Sequence, residues 1–213
     1  MTTPGIVALV VASGAPPSGL EVVDIPDLVI AADGGLEAAR AAGIGIDLVV
    51  GDMDSVDPVL LAEVEAEGVA VERHPGDKDE SDLELALTAA LDRGATTVRV
   101  VVGAGGRLDH AVANLAVITS PRWAAAEVEA VIGESRGWVV RGRRILPLVA
   151  GDHVALLPVG GDAIGVSTEG LVYPLSDERL DAHRARGIAN EVLTDQPSVV
   201  VSEGVLLVVS SPA

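Results

Sequence analysis

Leu48-Val49-Val50-Gly51-Asp52-Met53-Asp54-Ser55 is an apolar run that stops abruptly in a glycine and two aspartates. The run is continuous, not alternating, so it suits a strand covered on both faces. Five other runs have the same character: Ile6–Val11, Leu28–Ala32, Val69–Val71, Val98–Val102 and Val128–Ile132. Ala-rich segments of helical character lie between most of them. This alternation predicts an α/β architecture, a mostly parallel, Rossmann-like sheet flanked by helices.

The helix after Ser81 is the most clearly written. Leu83, Ala86, Leu87, Ala90 and Leu91 form one apolar stripe. Ser81 with Glu84 makes a capping box, and Gly94 supplies a stop. The pattern changes near Ser135, and from Trp138 onward the chain reads as strands and turns. Val154–Leu157 and Ala163–Ser167 are two of these strands, and Val199–Val201 with Val205–Val209 reads as a hairpin around Ser202-Glu203-Gly204. Only Ser176–Arg186 has the character of a short helix. Two domains are expected: an α/β domain over 1–135 and an all-β, sandwich-like domain over 136–213.

Composition narrows the function. Of 213 residues 49% are apolar but only 1% aromatic, with no Phe, so the core is built from Val, Leu, Ile and Ala. The net charge of -18 opposes binding to nucleic acid or to an anionic membrane. There is no Cys, no basic leader segment and no apolar run of membrane-spanning length. A cytoplasmic protein is expected.

Ligands of an open parallel sheet bind beyond the carboxyl ends of its strands. Four such turns carry chemistry here. Ala32-Asp33-Gly34-Gly35 has two glycines that let backbone approach a phosphate, although an ordinary tight turn has the same composition. In Gly51–Ser55, Asp52 and Asp54 would point to one side of an extended chain, roughly 7 Å apart, as shared carboxylates of a Mg²⁺ site. Asp77-Lys78-Asp79-Glu80-Ser81-Asp82 places acids at a helix start, where the dipole alone favours them. Yet Lys78 is the only lysine in a chain with thirteen arginines, and a compact ammonium suits a phosphate. Gly103-Ala104-Gly105-Gly106-Arg107-Leu108-Asp109-His110 can wrap an anion, with Arg107 holding its oxygens. It is not a dinucleotide fingerprint, because Leu108 stands at the final glycine position, and no P-loop lysine motif occurs. Acids and glycine turns together suggest a polyphosphate held through Mg²⁺.

In this order the turns resemble the thiamine pyrophosphokinase family. Its A-D-G-G, G-D-x-D-S, D-x-D-x-T-D and G-G-R-x-D-H motifs are matched by 32–35, 51–55, 77–82 and 105–110, with Ser81 where Thr is common. In the second half, Leu157–Gly160, Ser167–Leu175 and Gly187–Glu191 resemble its L-P-V-G, S-T-x-G-L-x-[YW]-P-L and G-x-S-N-E segments, with Ala189 in place of the usual Ser. The resemblance implies a homodimer that transfers pyrophosphate from ATP to thiamine. It implies Asp33, Asp52, Asp54 and Asp82 on Mg²⁺. Asp33, Gly34, Gly35, Ser55, Lys78, Gly105 and Gly106 would face ATP, with Asp54, Asp82, Arg107 and Asp109 at the reacting groups and Tyr173 and Asn190 on thiamine. Asp82 and Asp109 both remain open as the proton acceptor. The competing readings are an aspartyl-phosphate phosphatase of the haloacid-dehalogenase type, with Asp52 as nucleophile, and a non-catalytic sensor of nucleotide or thiamine.

Overall fold

A computed structural model describes residues 5–14, 26–103 and 107–212. The chain divides into two compact units, Met1–Gly133 and Glu134–Ala213.

The first unit alternates β1 (Ile6–Val11), β2 (Leu28–Ala32), α1 (Gly35–Ala41), β3 (Leu48–Gly51), α2 (Pro58–Ala66), β4 (Ala70–Arg73), α3 (Asp82–Asp92), β5 (Ala95–Val102), α4 (Leu108–Ile118) and β6 (Glu127–Ile132). Its strands lie in the order β6-β5-β1-β2-β3-β4, and every pairing is parallel. Ala8–Val11 and Val49–Val50 are at most 1% exposed, as continuous apolar runs covered on both faces require. β5 begins three residues before its apolar run, at Ala95-Thr96-Thr97, because β-branched threonine extends a strand while remaining polar. The strand order reverses between β1 and β5, and the turns that follow these two strands come together there. A Cβ on Gly103 would lie 2.3 Å from the Gly14 carbonyl oxygen.

The helix α3 has the capping box that Ser81 and Glu84 predict, formed reciprocally between side chains and backbone. It packs across β1, β2, β3 and β5 through Leu83, Ala86, Leu87 and Ala90, all buried. That packing fixes where its first residue, Asp82, projects.

The second unit holds β7 (Ser135–Val140), β8 (Arg143–Ile145), β9 (His153–Pro158), β10 (Ala163–Glu169), β11 (Glu178–Leu180), β12 (Asn190–Glu191), β13 (Ser198–Val200) and β14 (Leu206–Ser210). They form two antiparallel layers, β12-β9-β14-β7 and β11-β10-β13-β8. Trp138, Leu156 and Leu206 of one layer share a buried cluster with Val166, Leu180 and Val199 of the other, which makes the unit a sandwich. Two expectations are corrected here. β13 and β14 do not form a hairpin: β13 pairs with β10 and β8, and β14 with β7 and β9. The Ser202–Gly204 link crosses between layers, with Gly204 at φ +90 and room for no Cβ beside the Asp162 carbonyl oxygen. Ser176–Arg186 is not a helix either. Glu178–Leu180 is captured as an edge strand by β10, so cross-strand pairing overrides a weak local helix preference.

Gly35 opens α1 against β1, and a Cβ there would lie 2.0 Å from the Val11 carbonyl oxygen. Gly45 has nothing within 4 Å of its would-be Cβ. Gly35→Ala is expected to destabilise the protein by about 3 kcal/mol in urea denaturation, the upper end for overpacking because a backbone atom must yield. Gly45→Ala should stay within about 0.5 kcal/mol of the parent.

Candidate active site

Three aspartates from three separate elements converge beyond the ends of β2 and β3. Asp33 follows β2 with a left-handed backbone (φ 45), a conformation that aspartate tolerates better than most residues. Its N–H donates to the Val50 carbonyl, continuing the pairing of β2 with β3, and its side chain is only 4% exposed. Asp52 leaves β3, and Asp82 begins α3. Each offers a carboxylate oxygen, and these oxygens all lie within 4.8 Å of one another. Gly51 makes the space: a Cβ there would stand 3.0 Å from Asp33 Cβ and 3.1 Å from Asp82 Oδ1.

One cation is already placed among these acids. Lys78 Nζ donates to Asp52 Oδ2 at 3.1 Å. It also lies 3.0 Å from Asp82 Oδ1, an ion contact outside the angle of a directed hydrogen bond. Asp82 Oδ1, despite this ion contact, and Asp33 Oδ1 are each buried without a hydrogen-bond partner. Burial pushes the Asp33 carboxyl above the usual aspartate range, helped by the charges of Asp82 and Asp52 and opposed by bonds from Gly34 and Ser55. Asp52 is held low by the Asp54 N–H and the Lys78 ammonium. Burial works against the Lys78 charge, but its contacts with Asp82 and Asp52 outweigh burial and raise its pKa. Three hard oxygen donors, two of them buried without a hydrogen-bond partner, fit a divalent cation of the Mg²⁺ class.

Asp54 does not join this cluster. Met53 takes φ 66, so the chain turns instead of running extended, and Asp54 stays beside Asp52 without entering the group that Asp52 forms with Asp33 and Asp82. The Asp54 N–H donates to Asp52 Oδ1 at 3.1 Å, and its carboxylate accepts from Ser55 Oγ at 2.8 Å, at the exposed rim. Gly34 precedes α1 beside Ser13: a Cβ there would lie 2.9 Å from Ser13 Oγ. Ser13 and Gly14, in the turn after β1, thus reach the same edge. No acid or glycine pair flags that turn in the sequence. Arg107 caps α4 at its start and is paired with Asp109 through Nε and a terminal nitrogen. This pairing holds the Asp109 carboxyl at about 2. Gly105 and Gly106 lie outside the described residues.

In the second unit a cleft of about 230 Å³ is lined by Leu156, Tyr173, Leu175, Arg186, Ile188 and Asn190, among others. Tyr173 is 66% exposed at its edge. Asn190 is buried, and its amide is committed to the backbone of Tyr173: Oδ1 accepts from the Tyr173 N–H at 3.0 Å, and Nδ2 donates to the Tyr173 carbonyl at 2.9 Å. Ala189 precedes it at φ 58.

Comparison with known proteins agrees across both units. The thiamin pyrophosphokinase catalytic domain matches residues 21–132, and the thiamin pyrophosphokinase vitamin B1 binding domain matches residues 144–206. The thiamine pyrophosphokinase of Bacillus subtilis (strain 168) is 22% identical over 190 residues, 85% of this chain and 86% of that protein. The crystal structure of thiamine pyrophosphokinase from Bacillus subtilis superposes with a TM-score of 0.83 at 21% identity, covering 96% of this chain and 98% of that one. The yeast thiamin pyrophosphokinase structure gives 0.78 at 13% identity, covering 98% and 87%.

The buried Asp33 charge has a measurable consequence. Its folded pKa lies above the unfolded value, so the folded state holds the proton more tightly. The contribution of Asp33 to stability is greatest at low pH and falls as pH rises through the folded pKa. Asparagine keeps the shape and tolerates the left-handed backbone. In a chelating buffer Asp33→Asn is expected to melt higher than the parent at about pH 7.5 and to lose that advantage below about pH 4. A lower melting temperature at the higher pH would show that the ionised group is not a burden.

Proposed function

The chain belongs to the thiamin pyrophosphokinase family, and from that premise we propose how its own residues carry the family's reaction. The protein transfers a pyrophosphate group from ATP to the hydroxyl of thiamine, giving thiamine diphosphate and AMP. The thiamine oxygen bonds to the β-phosphorus, the bridge between the α- and β-phosphates breaks, and AMP leaves with the bridging oxygen. Such chemistry rests on positioning and on offsetting phosphate charge.

The observation that carries the assignment of the site is the buried, unpartnered Asp33 oxygen among three converging carboxylates. Asp33, Asp52 and Asp82 are the residues that would hold Mg²⁺. The chemistry supplied by an ion held there would be to offset the charge of the phosphates and so to ease attack at phosphorus. Asp54 and Ser55 stand at the rim and orient the nucleotide. Gly34, Gly35 and the turn containing Gly105 and Gly106 admit its phosphates to the backbone. Lys78 and Arg107 add fixed positive charge. The hydroxyl proton passes to Asp82 or Asp109. Asp109 is a poor acceptor while Arg107 is paired with it, since its carboxyl titrates at about 2. It becomes a better one when Arg107 turns to a phosphate.

In the second unit, Tyr173 stacks on the thiamine pyrimidine, and Asn190 holds Tyr173 in place through the two backbone bonds. We take the working form to be a cytoplasmic homodimer. Among the described residues no helix is long and apolar enough to cross a membrane. Exposed Val172, Tyr173, Ile188 and Leu193 form apolar surface suited to a second copy.

Incubation with ATP, Mg²⁺ and thiamine, followed by chromatography, should give thiamine diphosphate and AMP in equal amounts. Asp52→Asn is expected to lower kcat by roughly 10²–10³, the usual loss when one electrostatic contact to the transition state goes. Tyr173→Ala should instead raise KM for thiamine about tenfold and leave KM for ATP unchanged. Release of inorganic phosphate with a phosphorylated Asp52, or full activity of the Asp52 variant, would sink this assignment.

A further inference from the structure

Lys78 is the only lysine in the chain, and its ammonium lies among the acids that the cation would use. Nζ is 3.1 Å from Asp52 Oδ2 and 3.0 Å from Asp82 Oδ1, with the side chain only 11% exposed. Asp33 is left out: its buried Oδ1 has no partner. A divalent ion bound by Asp52 and Asp82 and an ammonium in contact with both compete for the same carboxylates. Resting on the reading that these aspartates hold a divalent cation, we infer that Lys78 is a resident stand-in for it. Entry of the ion displaces the ammonium from Asp52 and Asp82. The freed ammonium then becomes available to the phosphates of the arriving nucleotide.

Residue type and placement suit this exchange. A lysine ammonium is a compact point charge on a flexible stem, and it can pass from two carboxylates to a phosphate by rotating its own bonds. An arginine fork would be fixed to one planar partner. Lys78 sits in the link between β4 and α3, four residues before Asp82, so it can withdraw without disturbing the strand ends that carry Asp33 and Asp52. The consequence is coupling. The ion alone must evict a bound cation and binds weakly. The ion with nucleotide gains a new partner for that evicted cation and binds tightly. Each ligand therefore strengthens the other by the same factor.

The two halves of this exchange have opposite signs in one variant. In Lys78→Met, Mn²⁺ alone, followed by electron paramagnetic resonance, is expected to bind about tenfold tighter than in the parent, within the usual span of coupling between ligands. With Mn²⁺ and the non-hydrolysable α,β-methylene ATP, the nucleotide should bind more weakly than in the parent. Equal or weaker Mn²⁺ binding by Lys78→Met overturns the inference. Asp52→Asn in the parent background separates the two levels: if it keeps the parent's Mn²⁺ affinity, the assignment of the cation to these aspartates fails whatever Lys78 does. The unaltered protein gives a second measurement should Lys78→Met fold poorly. Because the chain has one lysine, an amine-reactive label at position 78 is read without ambiguity by peptide mass spectrometry. Saturating Mg²⁺ without nucleotide should raise labelling of Lys78 several-fold, and labelling unchanged by Mg²⁺ overturns the inference as well.

Discussion

Mutual repulsion among Asp33, Asp52 and Asp82 is the constraint around which the first unit is arranged. With oxygens within 4.8 Å, each ionised pair repels by roughly 3 kcal/mol at an effective dielectric near 20. Lys78, near 3 Å from two of them, returns about 5 kcal/mol of attraction to each on the same scale, so the array is close to balanced without an ion. The balance is local and incomplete, because Asp33 is buried with one oxygen unpartnered. Only a scaffold whose stability comes from elsewhere can hold such a group. The continuous Val, Leu, Ile and Ala runs of β1, β2 and β3, with the apolar stripe of α3 laid over them, supply that scaffold.

Close approach of backbone is the second requirement, and the glycines meet it in two different ways. Gly35 and Gly103 have no Cβ because backbone of a neighbouring element occupies its place. Gly51 has none because Asp33 and Asp82 do. The first two draw the turns after β1, β2 and β5 together at the point where the strand order reverses. The third leaves room for the acids to meet. Removing side-chain volume at three positions thus assembles both the acidic cluster and the edge where the three turns meet.

Much of this was legible in the sequence because it rests on local rules. Continuous apolar runs marked the parallel strands, and Ser81 with Glu84 marked the start of α3 through a capping box that two side chains and two backbone groups complete on their own. The four aspartates could be named, but which of them meet could not. That depended on the left-handed turn at Met53, a residue type that gives no warning of positive φ. The two errors in the second unit share a cause. Val199–Val201 and Val205–Val209 look like hairpin partners by spacing, yet the burial of their apolar faces is satisfied by different layers. Partner choice in a sandwich is set by long-range packing, which spacing does not encode. Asn190 shows the limit from the other side: the family motif marks the residue, and only the structure reveals that its amide is spent on the backbone of Tyr173.

A chain carrying a net charge of -18 must nonetheless admit a polyphosphate. The two cations proposed to meet it, Lys78 and Arg107, are already paired with the chain's own acids. Lys78 is paired with Asp52 and Asp82, and Arg107 with Asp109. On the proposed reading, an arriving phosphate would exchange partners with these ion pairs instead of meeting free positive charge. Such a site would attract free anions poorly and would favour a ligand that brings its own divalent ion to occupy the vacated carboxylates. On that reading, discrimination against bare phosphate and other small anions would follow from the same ion pairs.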